Sequence, residues 1–278
     1  MKFGGLRNSD ARAKRDRKQE ASDSSISASS EAWREMRTFP AEETIPMPDI
    51  ALQGRVGPAP AFHDIALTTM GRMNMAGLRP DHDVLDIGCG VGRTARYLCD
   101  YLDAGARYEG FDIMAEMVAW CQAEITPRFP NFHFRLTPLF NTAYKPDANL
   151  PSASTFTFPY PDDSFDFVFA HSVFTHLPPE ATRKYLSEIN RVLRQGGISY
   201  TTWFLFEDQP SSSPKSIIAD MQLDTSGTFA IRSPDVPDNA VAYRESFILP
   251  EFDTVGLTIV GPIRYGFKRL QDAIVAVK

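Results

Sequence analysis

Apolar and polar positions along the middle of this chain come in blocks of two alternating kinds. Val84, Leu85 and Ile87 form a short apolar run that stops at a glycine cluster. Ala95, Leu98, Cys99 and Leu102 then fall at i, i+3, i+4 and i+7, the spacing of one helical face. The blocks that follow repeat this alternation, and together they predict strands over 82–87, 107–112 and 131–136 and helices over 92–103 and 114–125. Alternating strands and helices of these lengths imply a parallel sheet covered on both faces.

Farther along, Phe165, Phe167 and Phe169 interleave with Asp166, Val168 and Ala170, giving a strand with two apolar faces that ends at His171 and Ser172. A helix is predicted from Pro179 to Leu193, with Leu186, Ile189 and Leu193 on one face and Gly196 as its stop. Ile198 to Phe206 is rich in β-branched and aromatic residues and predicts the next strand. Closing strands are predicted over Thr258–Pro262 and Ala273–Val277. Upstream, a proline- and glycine-containing arm leads into a helix from Phe62 to Ala76 that is expected to cap the ligand pocket.

Two stretches interrupt the pattern. Thr137 to Ser164 has no clear period and is too long for an idle connection. It carries Asn141 and Tyr144, then Phe156, Phe158 and Tyr160, and either lines a pocket or buries its aromatics against the sheet edge. Gln209 to Asn239 is polar and rich in Ser and Pro, and is expected to overhang the sheet as a lid.

The chain has 278 residues, 43% hydrophobic and 23% charged, enough for one sizeable core with an appendage. A net charge of −6, with no basic stripe in the body of the chain, disfavours a nucleic-acid partner. Cys89, Cys99 and Cys121 have neither paired nor metal-ligand spacing, which fits a reduced, cytoplasmic protein without a bound metal. No apolar run reaches membrane-spanning length. The basic first 20 residues and the serine-rich stretch after them have the composition of a disordered tail. The expected division is a tail over 1–37, an arm and cap helix over 38–76, and a binding domain over 77–278. The sequence leaves the oligomeric state open.

The chemistry concentrates between Val84 and Ala95, V-L-D-I-G-C-G-V-G-R-T-A. A dinucleotide fingerprint G-x-G-x-x-G places a small residue where Arg93 stands, and Asp86 at the strand end suits a cationic amine better than a pyrophosphate. The segment resembles motif I of the class I S-adenosyl-L-methionine (SAM) dependent methyltransferases. Asp112 then lies about 20 residues beyond the turn, where a carboxylate accepts hydrogen bonds from both ribose hydroxyls. It is equally suited to cap the helix that begins near Met114. The stretch from Ser164 through His171, His176 and P-P-E-A-T-R-K-Y-L resembles the region after motif II of the same class, in its small-molecule branch.

That resemblance implies a Rossmann-like, doubly wound, mostly parallel seven-stranded α/β sheet with helices on both faces and an antiparallel final strand. It also implies transfer of a methyl group from SAM to a small-molecule acceptor at oxygen, nitrogen or carbon. The residues expected at the cofactor are Asp86, Gly88, Cys89, Gly90, Arg93, Asp112, Ile113 and His171. Pro138 and Leu139 join them where many relatives carry an adenine-contacting Asp. The candidate bases are His171 and His176, with His63 and Tyr144 in reserve, because histidine titrates near neutrality. A SAM-binding protein without catalysis, or an NAD-dependent oxidoreductase, is the alternative.

Overall fold

In the computed structural model, which describes residues 44–207, 218, 220–263 and 271–278, the central pattern becomes a seven-stranded sheet. Its strands are β1 (Val84–Ile87), β2 (Tyr108–Asp112), β3 (Phe132–Leu136), β4 (Phe165–Ala170), β5 (Leu193–Trp203), β10 (Thr258–Ile263) and β11 (Asp272–Val277). They lie in the order β10-β11-β5-β4-β1-β2-β3, all parallel to their neighbours except β11, which runs antiparallel to both β5 and β10. The order reverses at β1, which has β2 on one side and β4 on the other. Chains leaving these strands must diverge there, and the gap beyond their carboxyl ends is where such sheets bind ligands.

The helices are α1 (Ile50–Arg55), α2 (Phe62–Met75), α3 (Ala95–Leu98), α4 (Ala115–Glu124), α5 (Pro179–Val192) and α6 (Glu245–Thr254). The predicted helix 92–103 keeps regular α-geometry only over α3, although backbone bonds such as Arg96 N–H to Gly92 and Leu102 N–H to Leu98 extend helical turns on both sides. Helix α5 buries Ala181, Tyr185, Leu186, Ile189 and Val192 on one face. It does not run on to a glycine stop. Leu193 is already extended and pairs with Phe165, so the buried β-pairing of Leu193 ends the helix, and Gly196 (φ +79°) instead serves an irregularity in β5.

The predicted strand 198–206 is divided between two sheets. Trp203 ends β5, while β6 (Leu205–Phe206) pairs with β9 (Val241–Arg244) in a second sheet of order β6-β9-β8-β7. The strands β7 (Gln222–Leu223) and β8 (Phe229–Ile231) fall inside the stretch expected to be only a polar lid. They are too short for an alternation to register. Helix α6 was not predicted, and Pro250 within it disguises its period. The expected tail over 1–37 lies outside the described residues.

Aromatic rings hold the central layer together. Phe174 stacks on Trp203 at 4.2 Å, and Trp203 meets Tyr243 and Phe252 at 5.8 and 5.9 Å. The 137–164 loop fulfils both of its readings. Phe156 and Phe158 pack on Phe111 of β2, at 5.8 and 5.1 Å, and on Tyr185 of α5, while the loop's first residues face a cavity. Among the described residues no helix is long and apolar enough to cross a membrane.

Trp203 is fully buried, and its indole N–H donates to the Thr201 hydroxyl at 2.7 Å. Trp203→Ala is therefore expected to cost about 3–5 kcal/mol in urea-denaturation experiments; a loss under about 1 kcal/mol would remove the Phe174–Trp203 stack from the core's centre.

Candidate functional site

The turn after β1 is built by glycines for want of room. Gly88 and Gly90 have φ of +73° and +54°, which side chains rarely adopt. A Cβ at Gly88 would lie 2.5 Å from a Val173 methyl, and one at Gly90 would lie 2.7 Å from a Val56 methyl. The N–H groups of Gly88 and Cys89 both donate to the Phe111 carbonyl, at 2.9 and 3.1 Å, which ties the turn to β2.

Asp112 completes that tie. One carboxylate oxygen accepts the Gly90 N–H at 2.8 Å and the other accepts the Met114 N–H at 2.9 Å. It thus caps the entrance to α4 and lines the cavity at once. Burial raises its pKa, and the N–H groups of Met114, Gly90 and Ile113 act against that rise. Each oxygen spends one lone pair on the backbone and keeps another.

Asp86 is buried at the end of β1, where the Tyr108 hydroxyl donates to it at 2.6 Å. Burial pushes its pKa up to about 7; Asp112 adds to the rise, and Tyr108 and Arg93 oppose it. Arg93 is itself buried and donates to the Val56 carbonyl at 2.5 Å. Burial lowers its pKa to about 10, so it remains a cation at neutrality. The residue that breaks the dinucleotide fingerprint fastens the N-terminal arm over the turn.

These residues line one end of a cavity of about 460 Å³, together with Cys89 and Ile113. Leu139 lines it too. Pro138 is exposed and does not, because the chain past Thr137 keeps strand-like alternation and turns Leu139 inward. His171 and His176 both line the cavity. His63 does not; its Nδ1 is hydrogen-bonded to the Tyr97 hydroxyl.

The hydrogen bonds fix the tautomer of each histidine. The Thr69 hydroxyl donates its single proton to the Ile65 carbonyl at 2.7 Å, so at 2.9 Å from His171 Nδ1 it can only accept. His171 therefore carries its proton on Nδ1 and a lone pair on Nε2. His176 Nδ1 lies 2.8 Å from the Asp238 carbonyl, another pure acceptor, which leaves Nε2 of His176 as a lone pair as well. Burial, with the Arg93 and Arg72 charges, lowers the His171 pKa to about 3. Burial also lowers that of His176, against the Asp238 carbonyl and carboxylate that favour its charged form. Tyr144 packs its ring edgewise on His176 at 5.5 Å.

Several lining residues left no trace in the sequence pattern. Val56 and Gly57 come from the arm, Arg232 and Asn239 from beyond β8, and Gln271 from the entrance to β11. Gln271 closes a ring of hydrogen bonds in which Ser172 N–H donates to Thr202, the Thr202 hydroxyl to Gln271, and the Gln271 amide to the Ser172 hydroxyl. Ser172 has φ +62°, strained for a side-chain-bearing residue.

Comparison with known proteins gives a consistent result. Residues 85–201 match the family model for a methyltransferase domain. The sterol 24-C-methyltransferase of Schizosaccharomyces pombe is 29% identical over 146 residues, covering 50% of this chain and 32% of that protein. The sarcosine/dimethylglycine N-methyltransferase of Halorhodospira halochloris is 30% identical over 168 residues, covering 59% and 54%. The chain thus spans well under two thirds of the length of these relatives. In fold it is similar to a SAM-dependent methyltransferase from Aquifex aeolicus, with a TM-score of 0.50 and 16% identity over 83% of this chain and 98% of that one. The PH0226 protein of Pyrococcus horikoshii gives a TM-score of 0.52 at 17% identity over 78% and 95%.

The depressed His171 pKa has a measurable consequence. Its folded value, about 3, lies below the unfolded value of 6.5, so the unfolded chain binds more protons as the pH falls through 6.5. Stability from this group is complete above about pH 6.5 and declines toward pH 3. The urea midpoint is expected to fall less between pH 7 and pH 5 in His171→Gln than in the parent; equal slopes would mean that the buried neutral imidazole is not there.

Proposed function

We propose that this chain is a class I SAM-dependent methyltransferase that transfers a methyl group from SAM to a small-molecule acceptor, a reading supported by the match of residues 85–201 to the methyltransferase-domain model. The observation that carries the reading is the cavity itself, lined by the buried Asp86, the half-buried Asp112, a glycine turn and two histidines whose pKa values burial lowers. Bound there, SAM supplies a methyl group on a cationic sulfur, which a nucleophilic atom of the acceptor displaces in line.

The residues suit that ligand. Asp86 is a buried carboxylate whose only hydrogen-bond donor among the described side chains is Tyr108, and a cationic amine is the partner it lacks. Asp112 keeps an acceptor direction on each oxygen, which fits a vicinal diol. Ile113 and Leu139 give the apolar contact a purine needs, and Pro138 drops out of that role. Cys89, buried under the turn with its thiol pKa raised by burial, contributes room and packing. Arg93, bonded to the arm, rules against a dinucleotide by filling the place of the third small residue. Alignment of donor and acceptor supplies most of the rate, up to about 7–11 kcal/mol in the best intramolecular cases.

For a hydroxyl or ammonium acceptor a base must also take a proton. His176 is the better placed. Its Nδ1–H is anchored on a carbonyl, and the Asp238 carbonyl and carboxylate support the imidazolium that forms, against burial and the Arg232 charge. His171 faces Arg93 and Arg72, which resist that charge. It is assigned instead to contact with the cofactor beside Ser172.

The direct test is conversion of methyl-labelled SAM to S-adenosylhomocysteine over a panel of hydroxyl, amine and activated-carbon acceptors; SAM binding without turnover on any would favour the non-catalytic alternative. His176→Ala is expected to lower kcat by about 100-fold with SAM affinity unchanged. The reverse ranking of the His176 and His171 variants would transfer the base to His171.

Asp112→Ala is expected to weaken SAM binding by about 1.5–3 kcal/mol. The Asp86 carboxyl, with its pKa near 7, must lose its proton to hold an ammonium, so SAM affinity is expected to rise as the pH rises from 6 to 8. Calorimetry at several pH values reads this directly, and Asp86→Asn should be weak and flat with pH.

A further inference from the structure

We propose that the part of the cavity wall formed by Arg232, Asn239, Asn141 and Tyr144 is an oxyanion subsite, so that the methyl acceptor carries a carboxylate or a phosphate. The inference rests on the methyl-transfer reading and names the substrate class that reading leaves open. It starts from the distribution of charge along the cavity wall. Among the described residues the acids lining the cavity are Asp86 and Asp112, both at the glycine turn. The cations there are already committed: Arg93 donates to Val56, and Arg55 pairs with Glu116 at 2.8 Å.

The wall that Arg232 joins has the opposite character. Arg232, which follows β8, stands in the lining and has no carboxylate or carbonyl partner for its guanidinium among the described residues. The nearby Asp238 does not line the cavity. Its carboxylate instead accepts from the Thr142 N–H at 2.8 Å and hydroxyl at 3.0 Å. Asn141 is only 9% exposed, and its side-chain oxygen accepts from the N–H groups of Ala143 and Tyr144 at 3.0 and 2.9 Å. Those bonds fix the amide, and its NH₂ is left without a partner in the lining.

Asn239 and the Tyr144 hydroxyl add further donors. A wall with one uncommitted guanidinium, two amides and a phenol, and with no acid, is complementary to a planar or tetrahedral oxyanion. Arginine's fork of N–H groups matches both shapes. The Arg232 charge acts on His176, Tyr144 packs on its ring, and its Nε2 is the acceptor among these donors. An acceptor held by its anionic end would present its hydroxyl or amine there.

The test is calorimetric titration of the protein saturated with S-adenosylhomocysteine, using 4-hydroxybenzoate, 4-hydroxyphenyl phosphate and neutral 4-hydroxybenzamide. At least one anion is expected to bind about tenfold more tightly than the amide, a modest factor because Arg232 is exposed at the cavity mouth. Which anion gains more separates the carboxylate from the phosphate source. Arg232→Gln should abolish the preference and Arg232→Lys should keep part of it, with S-adenosylhomocysteine affinity the same in all three proteins.

Equal affinity for the three probes, no measurable binding of either anion, or a preference that survives in Arg232→Gln would overturn the proposal. The same titrations without S-adenosylhomocysteine read the subsite alone. Failure of the nucleoside to bind would therefore count against the cofactor reading, while the anion preference is still measured.

Discussion

The site depends on one carboxylate shared between two turns. Asp112 accepts the Gly90 N–H with one oxygen and the Met114 N–H with the other, joining the loop after β1 to the loop after β2. The two loops leave adjacent strands at the same edge of the sheet, and their N–H groups at Gly90 and Met114 would otherwise lack a partner there. A single carboxyl group satisfies both and sets the gap between them. The glycines then keep that gap clear, since side chains at 88 or 90 would meet Val173 or Val56.

Charge is sorted along the cavity in a way that burial enforces. Two acids within the same buried end resist ionisation together, and Arg93 is the cation that makes their company tolerable. The histidines sit past that end, among cations and carbonyls, and burial keeps them neutral. A neutral imidazole with a free Nε2 is ready to accept a proton at ordinary pH, at the cost of weaker basicity. Arg232 and Asn239, which follow β8, bring to this wall donors from outside the span of the matched family domain.

The aromatic core gives these groups a firm backing. Phe111, immediately before Asp112, is clasped by Phe156 and Phe158 from the long loop, and its carbonyl holds the glycine turn. Packing in the core thus fixes the backbone that the site hangs from. The first half of the same loop is left free to line the cavity with Leu139, Asn141 and Tyr144.

The sequence by itself determined the parallel sheet, its strand-helix alternation, the glycine turn and the acids at 86 and 112. Those features depend on local periodicity and on residue types that only particular backbone conformations accommodate. The identity of the cavity's far wall was decided only by the tertiary structure. Arg232, Asn239 and Gln271 reach the lumen from short or irregular segments, whose hydrophobic pattern is too brief to read. The demotion of Pro138 and His63, and the stop of α5 at Leu193, were tertiary outcomes as well. Each followed from which neighbour claimed the residue: solvent for Pro138, Tyr97 for His63, and the β-pairing with Phe165 for Leu193. The protonation of the histidines belongs to the same class, because a side chain's pKa is a property of what surrounds it and not of its place in the chain.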